Sequence, residues 1–101
     1  MKPVDVRSFK GIFFQMFHQT PLSQIGVMTI KPGEDSGSEE IHKGDQIVYI
    51  IEGTAKVEIG KETYHLTEGV IATVPAGTKH HIYNGGDSGL FFLTIYTPPA
   101  Y

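Results

Sequence analysis

Breaks recur so often along this chain that no helix of ordinary length fits between them. They fall at Pro32-Gly33, Lys43-Gly44-Asp45, Glu52-Gly53, Gly60-Lys61, Glu68-Gly69, Pro75-Ala76-Gly77 and Asn84-Gly85-Gly86-Asp87. Turn signals every ~8–12 residues, with short β-branched and aromatic runs between them, are the pattern of an antiparallel sandwich or barrel. A helix would lose about 1 kcal/mol at each interior glycine and about 3 kcal/mol at each proline. The 12 glycines and 6 prolines among 101 residues exceed the usual share of roughly 12%. They are spread in short clusters, so they punctuate the chain and do not make it low in complexity.

The runs between the breaks agree with strands. In Thr54-Ala55-Lys56-Val57-Glu58-Ile59 apolar and polar residues alternate, as a strand with one wet face requires. Gly60-Lys61 suits a two-residue hairpin loop, because glycine accepts the positive φ of such turns, and Tyr64 and Leu66 continue the return strand. Ile47 to Ile51, Val70 to Val74 and Leu90 to Tyr96 are nearly continuous apolar stretches, the pattern of strands covered on both faces by a second sheet or a second subunit. Gly11 to Phe17 reads as a further strand with more apolar surface than one small barrel needs. The expectation is one domain over residues 1–101, with residues 1–11 as an N-terminal arm.

Composition removes several function classes. Eight Lys plus Arg against 11 Asp plus Glu give a formal charge of -3, which offers no footprint for nucleic acid or an anionic membrane. The apolar runs are far shorter than the ~20 residues that cross a bilayer, and the first 14 residues lack a signal-peptide core. The expectation is a soluble, cytoplasmic protein. With no cysteine, disulfides, thiolate zinc sites and thiol catalysis are excluded. Any metal must be held by nitrogen and oxygen.

The most specific pattern lies in the second half: Gly69, five residues, Pro75-Ala76-Gly77, two residues, His80, three residues, Asn84. It resembles the second motif of the cupin family, small barrels that often hold one divalent metal and in which this histidine is a ligand. The proline fixes φ and the glycine permits a tight reversal ahead of the strand that carries the ring. The first cupin motif normally supplies His-x-His and then a glutamate that six intervening residues separate from a glycine. Counting back from Gly53, the corresponding positions are Gln46, His42 and Glu40. Glutamate stands for the first histidine and glutamine for the glutamate, so the carboxylate has moved without changing the charge of the set.

This resemblance implies an all-β fold, a small double-stranded β-helix (jelly-roll) barrel of two antiparallel sheets. It also implies a divalent metal bound by Glu40, His42, Gln46 and His80. Two imidazoles with a carboxylate suit Fe, Mn, Ni or Zn. Residues 40 and 42 are expected on one face of a strand, with His80 on a facing strand. Each assignment has a plainer competitor. His80 could be a barrel histidine bonded to a carbonyl, Glu40 a solvated edge carboxylate beside Glu39, and Gln46 a donor that orients a metal-bound water. By parity His81, Tyr49 and Tyr83 face away, while Val48, Ile50, Ile82, Phe92, Thr94 and Tyr96 form the pocket wall. His18 and His65 read as surface or strand residues, and Asn84, beside Gly85-Gly86, as a turn stabiliser.

Glu40-Ile41-His42 with Asp45-Gln46, together with Thr94-Ile95-Tyr96-Thr97-Pro98-Pro99, is similar to single-domain cupins described as mannose-6-phosphate isomerase-like. The functional expectation is a metal-dependent enzyme, such as an isomerase or dioxygenase, on a small polar metabolite that is sugar-like or a keto or hydroxy acid. The alternative is a non-catalytic binding or sensor barrel, since fold does not decide function. The apolar stretches at Gly11 to Phe17 and Leu90 to Tyr96 imply a homodimer.

Overall fold

The strands fall between the turns, and the turns decide where they end. The computed structural model describes residues 2–101. After a short 3-10 turn at Val6–Phe9, the strands are β1 (Phe14–Gln19), β2 (Gln24–Ile30), β3 (Asp45–Glu52), β4 (Ala55–Ile59), β5 (Glu62–Leu66), β6 (Ile71–Val74), β7 (His80–Asn84) and β8 (Leu90–Thr97). They build two antiparallel sheets, one in the order β1-β2-β8-β3-β6 and one in the order β5-β4-β7. This is the expected jelly-roll arrangement. The β4–β5 hairpin turns at Gly60-Lys61 as its spacing requires, with Gly60 at φ +61°. Among the described residues no helix is long and apolar enough to cross a membrane.

Alternation puts one face of each sheet against the other. Met28, Ile30, Val48, Ile50, Val57, Ile82, Leu90 and Phe92 meet in one buried cluster, each large side chain contributing about 1.5–3 kcal/mol by leaving water. The register grades this inner face from apolar to polar. Met28, Phe92 and Ile50 form one cross-strand row, Gly26, Thr94, Val48 and Ala72 the next, and Gln24, Tyr96, Gln46 and Val74 the last. Gly26 is required where β1 crosses: a Cβ there would collide with the Gln15 carbonyl and the Met16 sulfur.

Several expectations need correction. The first strand begins at Phe14, and the residues before it turn and dock. Phe9 stacks on Phe17 with ring centroids 5.5 Å apart, and Arg7 and Lys10 both pair with Glu52. The strand β2 went unanticipated because Gln24, Gly26 and Thr29 break its apolar run. Within the single chain no second sheet covers the outer faces of Ile47 to Ile51 and Val70 to Val74: Tyr49 is 40% exposed and Ile71, on the edge strand β6, 62% exposed. Finally, Glu40 and His42 do not lie in a strand. Residues 34–42 run as an irregular segment along β7, tied by Ser36 N–H to the Ile82 carbonyl (2.8 Å), Asn84 N–H to the Glu34 carbonyl (3.0 Å) and a reciprocal Glu40–His80 bridge (3.0 Å each way).

Candidate metal centre

The Pro75-Ala76-Gly77 turn joins the two halves of the site. Gly77, at φ +76°, donates its N–H to the His42 carbonyl at 2.8 Å, and Ala76 N–H reaches Asp45 Oδ1 at 3.0 Å. The turn therefore fixes the 42–45 segment and launches β7 together. His80, the first residue of β7, is buried and points inward.

Its Nδ1 lies 3.1 Å from the Thr78 carbonyl. A carbonyl only accepts, so Nδ1 carries a proton toward it and Nε2 is the ring nitrogen left to face the cavity, the arrangement that orients a ligating histidine. The His42 ring packs 4.9 Å from the His80 ring, centroid to centroid, and its Nε2 lies 3.4 Å from Glu40 Oε2. Burial, and then His80, push the pKa of His42 below its ordinary value, while Glu40 pulls it partly back. His42 is a neutral imidazole at neutral pH, the form that binds metal.

Gln46 completes the group from β3. Its amide nitrogen donates to Thr94 Oγ1 at 3.0 Å and to the Tyr96 hydroxyl at 3.4 Å. Its amide oxygen is buried with no hydrogen-bond partner. A buried acceptor left unpaired costs about 1–3 kcal/mol, and a coordinated cation or a water held by one would satisfy it. Glu40, His42, Gln46 and His80 line one cavity of about 200 Å³.

The donor chemistry of two imidazoles, a carboxylate and an amide oxygen fits a divalent metal, although among the described residues no group of three or more His, Cys, Asp or Glu side chains is gathered as a metal-binding set. Glu40 Oε2 is engaged at 2.5 Å by the Tyr101 hydroxyl. Burial and the bond to Glu40 raise the Tyr101 phenol well above its usual pKa, so it donates to the carboxylate and stays neutral.

The parity assignments divide. His81 and Tyr83 face out of the cavity, stacked at 4.3 Å, and the Tyr83 hydroxyl bonds Glu58 at 2.9 Å. Asn84 holds the following turn, donating to the Ile30 and Ser88 carbonyls and accepting from Gly86 N–H. Of the expected wall, Ile82 and Tyr96 line the cavity, whereas Val48, Ile50 and Phe92 lie in the apolar cluster beneath it. Thr94 acts only through Gln46. Sequence reasoning missed Phe13, Phe14, Met28 and Tyr101 as lining residues, and Gln24 as the residue that places Tyr101. Tyr101 stands outside both motifs, and no local pattern marks it.

A family model described as a cupin domain matches residues 26–96. An uncharacterized protein of Acanthamoeba polyphaga mimivirus is 41% identical over 102 residues, covering 94% of this chain, and the chain spans 64% of that relative's length. A mannose-1-phosphate guanylyltransferase of Salmonella montevideo is 34% identical over 73 residues, which are 71% of this chain and 15% of that enzyme. The crystal structure of a Bacillus halodurans protein superposes with a TM-score of 0.84 at 30% identity, covering 89% of this chain and 73% of that one.

Proposed function

The chain belongs to the cupin family, and from that premise we propose that its cavity binds one divalent metal and acts on a small polar metabolite. Glu40, His42 and His80 would hold the metal, with the Gln46 oxygen as a fourth donor or as the acceptor for a bound water. Fe, Mn, Ni and Zn all suit two imidazoles and a carboxylate. When bound, the metal would supply Lewis acidity toward a carbonyl or hydroxyl of the substrate. The observation that carries the reading is the orientation of His80: its Nδ1 is locked onto the Thr78 carbonyl while its ring lies against the neutral His42, beside Glu40.

The cavity also bears on substrate class. Its polar side, with Tyr96 and the four donors, faces an apolar side of Phe13, Phe14, Met28 and Ile82, and among the described residues no Lys or Arg lines it. A phosphate would meet no protein cation there. The site therefore favours an unphosphorylated, sugar-like molecule or a keto or hydroxy acid that chelates the metal. The guanylyltransferase likeness, confined to 15% of that enzyme, supports a sugar-like ligand only at the level of chemical class.

A second reading is a non-catalytic binding or sensor barrel. It is favoured by the other titratable groups at the cavity, Tyr96 and Tyr101, whose phenols are raised by burial and so held neutral. They bind through hydroxyls and offer no base. Elemental analysis of purified wild type, His80→Ala and His42→Ala tests the shared premise. Metal in the wild type and its loss from both variants is the expected result; equal metal in all three, or none under any reconstitution, refutes the site. Turnover of a candidate metabolite then selects the enzyme, and tight binding without turnover selects the sensor.

We further propose a homodimer through the outer face of the five-stranded sheet. Ile25, Ile95 and Ile47 form one outward row there, and Leu93, Tyr49 and Ile71 another. Sedimentation should give a dimer for wild type and a monomer for Ile71→Lys; a wild-type monomer at micromolar concentration rejects the interface.

A further inference from the structure

Gln24 is almost fully buried, 2% exposed, at the polar end of the inner face beside Tyr96. Both ends of its amide grip the segment that follows β8. The oxygen accepts from Ala100 N–H at 3.1 Å and from Tyr101 N–H at 3.0 Å, while the nitrogen donates to the Tyr101 carbonyl at 2.8 Å and to Gln19 Oε1 at 3.1 Å. The side chain acts as a short strand edge, pairing with the backbone of a residue 77 positions away.

The clamp delivers the Tyr101 ring onto the site. The ring meets His42 edge-on at 5.5 Å, Tyr96 at 5.2 Å and Phe14 at 5.4 Å, centroid to centroid. Its hydroxyl donates to Glu40 Oε2, the same oxygen that faces His42 Nε2. Glu40 cannot offer that oxygen to the phenol and to a cation in the same direction at once. The residue as a whole remains about half exposed, at 54%, so it is not locked in by packing on all sides.

We propose that Tyr101 is a displaceable cap on Glu40, positioned by Gln24, and that ligand or metal entering the cavity must take the carboxylate from the phenol. This rests on the metal reading given above. Tyr101→Phe keeps the ring stack and removes only the competing bond, so the vacated carboxylate binds a cation more tightly. A bond to a charged acceptor supports a gain of about tenfold in affinity. Gln24→Met, similar in length but unable to grip the Tyr101 backbone, shifts affinity in the same direction. The gain from Tyr101→Phe vanishes in a Glu40→Gln background, because the two residues act as one pair.

The test is calorimetric titration of Zn²⁺ and Mn²⁺ into wild type, Tyr101→Phe, Gln24→Met and the Glu40→Gln pair. Ring resonances of Tyr101 are followed by NMR during the same titration, assigned by their loss in Tyr101→Phe. Tighter binding by Tyr101→Phe, with Tyr101 ring signals in wild type shifting as metal is added, is the expected result. If wild type binds metal but Tyr101→Phe binds no tighter, or the ring signals stay fixed, the cap is refuted and the metal site stands. If no variant binds either cation, nor Ni²⁺ or Fe²⁺ titrated in the same way, while calorimetry and spectra show a folded chain, the metal site fails and the cap falls with it.

Discussion

Replacing Gln46 with leucine should separate stability from metal binding in opposite directions. In the metal-free chain Gln46 is 3% exposed and its amide oxygen has no partner. That orphaned acceptor costs about 1–3 kcal/mol. Against this stand two donations, to Thr94 Oγ1 at 3.0 Å and to the Tyr96 hydroxyl at 3.4 Å. The first contributes about 1 kcal/mol and the second, at the limit of hydrogen-bond reach, much less. Thr94 and Tyr96 can re-aim their hydroxyls toward each other or the cavity, so neither is stranded. Leucine nearly matches the volume and carries no polar atom, so no large void is left.

The balance favours Gln46→Leu by about 1 kcal/mol, which for a domain of this size raises the melting temperature by roughly 4–8 °C. Thermal unfolding with excess chelator, followed by circular dichroism, measures that shift. Metal titration of the same variant should show weaker binding, since the lost oxygen is the proposed fourth donor. A destabilisation beyond about 2 kcal/mol in chelator would refute the reasoning, because it would mean that the amide oxygen is well satisfied in the folded chain. Stabilisation with unchanged metal affinity would leave the orphan argument intact and remove Gln46 from the ligand group.

Two further outcomes are expected. Gly53 sits at φ +87° where β3 hands over to β4, and a Cβ there would run into the Gly89 backbone; Gly53→Ala should lower unfolding free energy by about 1–3 kcal/mol in urea, and a neutral result contradicts the turn's geometry. His42 has its pKa depressed below 6.5 by burial and then by His80, so on acidification the unfolded chain takes up its proton first. The stability this residue contributes is complete above pH 6.5 and declines as pH falls through the depressed value. Chelated wild type should therefore lose melting temperature more steeply than His42→Gln as pH falls below 6.5, and parallel curves would show that the ring is not desolvated.

The legible part of the site was the part written in short spacings. Gly69, Pro75, Gly77 and His80 define a turn and the strand it launches, and the structure shows that turn bonded to the His42 backbone. Glu40, His42 and Gln46 were placed by counting from Gly53, and all three reach the same cavity as His80. The local conformation of Glu40 and His42 was not legible. Alternation suggests a strand, but Ser36 to Glu40 is polar and the segment gains regularity only where β7 offers it hydrogen bonds. The sequence likewise did not say what covers Ile71, since an apolar residue records what could be covered and not whether its own chain or a second copy does it.

The sequence alone marked most of the strands, their turns and the residues that now line the cavity as candidate donors, because φ preference, alternation and motif spacing act over a few residues. Tertiary structure decided which donors are free. Tyr101 reaches Glu40 across 61 positions and Gln24 holds it across 77, contacts that depend on the β2–β8 register bringing Gln24 opposite Tyr96. A one-residue slip in that register would turn Gln24 to the other face of the sheet. No local pattern encodes such a meeting; it follows from the packing of two sheets whose inner faces have to match.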